Sequence, residues 1–267
     1  MNETSLKEPH LVQFYNRYAT YNGSSPYSTP GIMTVIQHLE SHYGTYIPEG
    51  GMHSITKSLY EFAKRKGVIF KFNKSVNQII LEKNKATGLI VDEDKLFFDI
   101  IISNMDIHPT YKKLLPDMKP PNNIKNQERS SSAVIFYWGV TKRFDNLDLH
   151  NVFFSKDYRE EFDSIFNKKS ICNDPTIYVN ITSKEIPTDA PKNCENWFVM
   201  INVSHDKGQD WNLLVKQARI TIIKKINKFL NSDLENHIVY EKHMSPTHIQ
   251  EKTGAFQGAL YGTSSNN

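Results

Sequence analysis

His38 and His42 stand four residues apart in the run His38-Leu39-Glu40-Ser41-His42, a spacing that would set two imidazoles on one side of a helix, within reach of a single metal ion. The zinc-protease pattern needs a glutamate directly after the first histidine, so that its carboxylate faces the metal-bound water. Here Glu40 comes two residues after it, about 200° around the helix, and no third ligand follows at a suitable distance. The pair therefore reads as a helix face. His243 and His248 flank Pro246, which keeps them off one helical turn. Cys172 and Cys194 make no CxxC pair and no disulfide framework, which points to a reducing compartment. There is no Gly-x-Ser-x-Gly elbow for a hydrolase triad, and no GxGxxG or GxxxxGK[ST] turn to cradle a nucleotide. Gly50-Gly51 remains, directly before an apolar periodic run. Backbone without side chains admits close approach, and the amides that open a helix favour an anion, although any tight loop into a helix has the same pattern.

The elements that must position these residues follow from periodicity. The chain has 267 residues, 39% of them hydrophobic, with 15 Phe, 13 Tyr and 3 Trp, enough for a real core in one large or two small domains. Its net charge of +3 gives no electrostatic case for a nucleic-acid partner. The first residues carry no apolar run, so no secretory signal is expected, and no stretch approaches the length of a membrane span. Helices are expected over 9–21, over 31–43 (Ile32, Val35, Ile36 and Leu39 on one face) and over 52–66, with Gly67 as its C-cap. From Val68 the period becomes that of strands: 68–72, 76–82, a hairpin tip at Lys83-Asn84-Lys85, then 87–91 and 96–102. Prolines at 109, 116, 120 and 121 suggest a domain crossing. Beyond them the strands 131–140, 151–155, 176–182, 196–204 and 237–243 surround one helix, 210–230, capped by Asp210. The class is α+β in two parts. The long helix carries Trp211, Val215, Ala218, Ile222 and Ile226 on one side and lysines away from it. It suits either packing on the sheet or lying on an anionic membrane.

Several segments together are more specific. Arg17-Tyr18-Ala19-Thr20-Tyr21-Asn22-Gly23-Ser24-Ser25-Pro26-Tyr27, then Tyr46-Ile47-Pro48-Glu49-Gly50-Gly51-Met52, Ser103-Asn104-Met105-Asp106, Leu114-Leu115-Pro116 and Gln257-Gly258-Ala259-Leu260-Tyr261-Gly262 occur in one order. In these motifs the chain resembles the bacterial phytoene-desaturase family of carotenoid desaturases, flavoproteins with the amine-oxidase type of FAD fold. Within it the chain is most similar to desaturases of acyclic carotenoids, 1-hydroxylated ones included. Members of the family are considerably longer. They start with a strand, GxGxxG and helix that hold the FAD pyrophosphate, and end in a Gly-rich segment beside the flavin. Neither lies in these residues, so the resemblance implies a central piece: 1–43 a helical segment of the substrate or lid region, 44–106 part of the FAD-binding domain, and 107–267 the substrate domain.

By the same resemblance Gly50 and Gly51 lie on the flavin side, Val76 meets the adenine end through its backbone, and Ser103 and Asn104 lie at the domain crossover. Glu40 is the candidate base that takes the proton while the flavin takes a hydride from a saturated C–C bond of a long polyene precursor. The implied substrate is lipid-soluble, so the implied place of work is the cytoplasm, with peripheral contact at the cytoplasmic membrane. A tunnel wall of Phe136, Trp138, Phe153 and Phe198 is expected, residues that equally suit a plain core. The alternatives are a carotenoid isomerase or saturase on the same scaffold, and a non-catalytic lipid-binding module.

Overall fold

A computed structural model describes residues 2–264. The chain forms two compact units: residues 31–121, and residues 1–30 together with 122–267. The expected boundaries at 43/44 and 106/107 do not coincide with these. Residues 107–114 belong with the first of the two, because the turn they form packs on strand β1.

In chain order the main helices are α1 (Pro9–Asn16), α2 (Val35–Tyr43), α3 (His53–Arg65), α4 (Tyr158–Phe166), α5 (Trp211–Leu230) and α6 (Pro246–Thr253). The strands are β1 (Val76–Glu82), β2 (Lys85–Val91), β3 (Asp94–Phe97), β4 (Ser132–Val140), β5 (His150–Phe153), β6 (Ile177–Asn180), β7 (Glu195–Val203) and β8 (Ile238–Met244).

In unit 31–121, β1, β2 and β3 form an antiparallel meander. Lys83 and Asn84 both take positive φ (49° and 64°), the two-residue turn whose twist suits a hairpin and which the Lys-Asn-Lys tip predicts. Helix α3 ends as its Gly67 predicts. Gly67 has φ +85° and donates to the Lys64 carbonyl, and Val68 donates to that of Ala63, so the last carbonyls of the helix are satisfied. Two expected strands are corrected. Residues 68–72 form none, and the expected 96–102 strand shrinks to β3 plus one further bond from the Phe98 amide to the Thr87 carbonyl. Both segments have strand composition, but a strand needs a neighbour to bond with, and among the described residues none runs beside them.

The other unit is built on an antiparallel sheet in the order β5-β6-β7-β4-β8. On one face Val134, Phe136, Trp138 and Val140 of β4 pack with Trp197, Val199, Ile201 and Val203 of β7 and with Ile177 and Val179 of β6. Helix α5 lays Trp211, Val215, Ala218, Ile222, Ile223 and Ile226 on this layer, so its apolar side is core and the packed reading of that helix holds. Asp210 caps it by accepting from the Leu213 amide at 3.1 Å. Helices α4 and α6 were not among the expected elements. The first is capped by Asp157 and buries Tyr158, Phe162, Ile165 and Phe166, and the second is capped by Ser245 with Pro246 in its first turn. Among the described residues no helix is long and apolar enough to cross a membrane.

Candidate functional site

All six residues named as candidates lie in unit 31–121. Glu40 is on α2 and half-buried. Gly50 and Gly51 form the turn into α3 with φ +79° and +77°, a left-handed backbone that favours glycine at both positions. A side chain at Gly51 would meet nothing within 4 Å, so this stretch of main chain is open to a ligand. Val76 begins β1 opposite Val91, just before an irregularity in the register. Ser103 and Asn104 are exposed in the loop before the 107–114 turn, where the Ser103 and Thr110 hydroxyls lie 3.0 Å apart and Asp106 accepts from the His108 amide.

These residues lie on four separate segments, and none of them lines the cavity of about 450 Å³ in this unit, which is walled by Gln78, Ile80, Leu81, Lys95, Leu115 and Met118 among others. The open glycine turn fits one wall of a flavin site. The residues do not make a whole one, since the phosphate-cradling glycine turn is not among the 267 residues. His38 and His42 stack with ring centroids 5.4 Å apart, and among the described residues no cluster of three or more metal-ligating side chains occurs.

Three of the four expected tunnel residues belong elsewhere: Phe136, Trp138 and Phe153 are buried in the core under α5. Phe198 alone is on the opposite face of the sheet. The register puts Val152 opposite Tyr178, Tyr178 opposite Met200, Met200 opposite Ile135 and Ile135 opposite Met244, an apolar row across all five strands. At about 4.8 Å per strand the row is roughly 19 Å long. Beside it runs a second row of His150, Asn180, Phe198, Tyr137 and Lys242. The Phe198 ring meets Tyr137 and Tyr178 edge-on at 5.6 and 6.3 Å, and Val152 and Tyr137 are exposed. A strand's alternation could have revealed this row, since β4 and β7 are apolar at both parities. Their pairing, which the sequence leaves open, decides which residues share it.

Two buried polar groups in this unit serve structure. Glu161 accepts from the Thr176 amide (2.9 Å) and hydroxyl (2.6 Å), tying the start of β6 to α4, and burial pushes its carboxyl above the usual range. His205 is buried, and desolvation together with Lys169 and Lys207, with Glu128 opposing and Arg129 adding, lowers it to about 4. The unfolded chain binds a proton at His205 near pH 6.5 and the folded chain only near 4, so stability falls as pH drops through that window. Measured by urea denaturation from pH 7 to pH 4, His205→Gln should flatten this slope; an unchanged slope would assign it to other groups.

Residues 3–178 match the family described as flavin containing amine oxidoreductase. The chain is 54% identical over 98% of its length to a 1-hydroxycarotenoid 3,4-desaturase of a Flavobacterium species, covering 54% of that protein. It is 32% identical to a 4,4'-diapolycopene oxygenase of a Methylomonas species (96% of this chain, 52% of that one) and 31% identical to a phytoene desaturase of Fusarium fujikuroi (91% and 47%). The chain thus spans about half the length of the curated relatives it matches. A solved structure of an oxidoreductase from Methanosarcina mazei shares the fold, with a TM-score of 0.60 at 14% identity over 90% of this chain and 54% of that one. Taken with the α+β architecture, the match places the chain in the flavin-containing amine oxidoreductase family.

Proposed function

We propose that this chain is part of an FAD-dependent desaturase of long acyclic carotenoids, and that the face of its five-stranded sheet opposite α5 holds the polyene. The apolar row from Val152 to Met244 carries this reading. It is roughly 19 Å long and its own five residues carry no charge, which suits a long hydrocarbon chain that cannot fold into a compact pocket. The aromatic rings beside it supply broad contact area with little rotamer entropy to lose. The similarity to a 1-hydroxycarotenoid 3,4-desaturase supports a substrate of this class. FAD would supply the two-electron acceptor, with Gly50, Gly51, Val76, Ser103 and Asn104 as the residues proposed for its side of the protein. Glu40 is the proposed proton acceptor.

A substrate of this kind must come from a bilayer, and α5 offers a surface for it: Leu213 and Ile220 are exposed on the helix that also exposes Lys216, Lys224 and Lys228. Peripheral attachment at the cytoplasmic membrane is therefore part of the proposal.

One experiment tests these assignments together, with carotenoid-loaded anionic vesicles and the complete enzyme that contains this chain. Val152→Lys places a charge at the exposed end of the row and should lower polyene retention and desaturation by about tenfold or more with little change in melting temperature. Unaltered retention would remove the sheet face from the substrate site. Ile220→Glu should instead reduce vesicle binding. Product analysis separates desaturation from the oxygenation named for the Methylomonas relative.

A further inference from the structure

Where β4 and β6 end and β7 begins, a cavity of about 380 Å³ opens among three stretches of chain. Arg143 follows β4, Ser183 and Lys184 follow β6, and Lys192 to Glu195 lead into β7. The volume falls within the roughly 300–1,000 Å³ of small-molecule sites. Three cationic side chains stand in the wall with one carboxylate, Glu195, which Lys184 already neutralises at 2.7 Å. Arg143 and Lys192 are exposed, and among the described residues neither side chain has an ion-pair or hydrogen-bond partner. The loop's other carboxylates, Glu185 and Asp189, are outside the wall, and that of Asp189 takes the Thr182 hydroxyl. Two positive charges in the wall are therefore uncompensated.

We infer that this cavity binds a phosphate monoester. Such a group carries about two negative charges near pH 7, which matches the wall, and its oxygens accept several hydrogen bonds. A carboxylate or a phosphodiester would leave one cation unanswered. The donors suit those oxygens: a guanidinium fork at Arg143, an ammonium at Lys192, and the third hydrogen of Lys184, whose other two go to Glu195 and to the Phe144 carbonyl. Ser183 adds a buried hydroxyl with no hydrogen-bond partner, a state that costs stability until something completes it. The wall is also formed in advance. Asn196 accepts from the Ser183 amide at 2.9 Å and donates to the Thr182 hydroxyl at 2.7 Å, and Pro187 and Pro191 stiffen the loop, so little ordering remains for the ligand to impose. The inference does not rest on the proposed substrate.

Cys194 lines the same cavity, half-buried and with a free thiol, so its alkylation reports the occupant. The test treats the complete enzyme that contains this chain with iodoacetamide, an uncharged reagent, and follows the Cys194 peptide by mass spectrometry. Phenyl phosphate at about 10 mM should slow labelling about tenfold or more, by filling the cavity and by disfavouring the thiolate beside its negative charge. Sodium chloride at equal ionic strength should slow it by less than about twofold. Arg143→Gln combined with Lys192→Gln removes two exposed charges that hold nothing else, and should abolish the slowing. The thermal midpoint is a second reading: the ester should raise it in the parent protein and leave it unmoved in the double variant. An ester that neither slows labelling nor raises the midpoint overturns the inference, as does an effect that chloride reproduces or the double variant retains. Slowing by phosphatidylglycerol vesicles and not by the soluble ester would assign the cavity to a diester headgroup and overturn it too. Activity does not enter the readout, so the result stands apart from the fate of the polyene assignment.

Discussion

Gly258→Ala should destabilise the five-stranded unit by about 3 kcal/mol or more, read as an earlier midpoint in urea followed by tryptophan fluorescence. The glycine has φ +66°, where an L side chain costs about 1–2 kcal/mol. A methyl there would also stand 2.2 Å from the Pro246 carbonyl oxygen and 2.7 Å from that residue's Cα, backbone atoms at the start of α6 that cannot rotate away. Relief requires moving the loop, which is held by the Ser132 hydroxyl on the Gly258 carbonyl at 2.6 Å and by the Leu260 amide on the Ser131 carbonyl. The disturbance therefore reaches the first residue of β4. Gly51→Ala, with a similar φ but open space around it, should show only the conformational part, and equal effects of the two would refute the steric account.

Removing the Lys184 ammonium should cost at least as much, by electrostatics. Its Nζ lies 2.7 Å from Glu195 Oε1, and Glu195 is only 2% exposed. That carboxylate also accepts from the Phe144 amide at 3.1 Å and from Trp197 Nε1 at 2.8 Å, and Lys184 itself donates to the Phe144 carbonyl. In Lys184→Met the carboxylate stays buried without its counter-charge, a situation that costs about 3–5 kcal/mol. Adding Glu195→Gln should restore most of the loss, because no charge is then left unpaired. A single substitution that costs less than about 1 kcal/mol would mean that water reaches Glu195, and the pair would then behave like a surface ion pair.

The elements that local chemistry decides are legible in the sequence. The 3.6-residue spacing from Trp211 to Ile226, the Lys83-Asn84 tip and Gly67 after α3 each name a structure that their own residues are sufficient to form. Helix α4 was legible too, through Asp157 followed by Tyr158, Phe162, Ile165 and Phe166, but its charged Arg159-Glu160-Glu161 masks the stripe. What could not be read is whatever depends on a partner. The residues 68–72 and 98–102 have the composition of strands and form none beyond a single bond, because pairing is a property of two segments. The substrate surface shows the same limit. Phe136, Trp138 and Phe198 look alike in sequence, and one position of parity sends the first two into the core and the third to the opposite face.

The strand order has a consequence for synthesis. The two neighbours of β4 are β7 and β8, the earlier of which ends about 60 residues after β4 does. At ribosomal rates of roughly 5–20 residues per second, the Ala133–Val140 run waits several seconds after translation before any neighbour exists to bond with it. During that interval the longest uncharged apolar run of the chain is a naked β-edge on a nascent polypeptide. Heat-shock proteins that bind short extended apolar peptides would find their strongest sequence in this protein there, and production of the chain should depend on their supply.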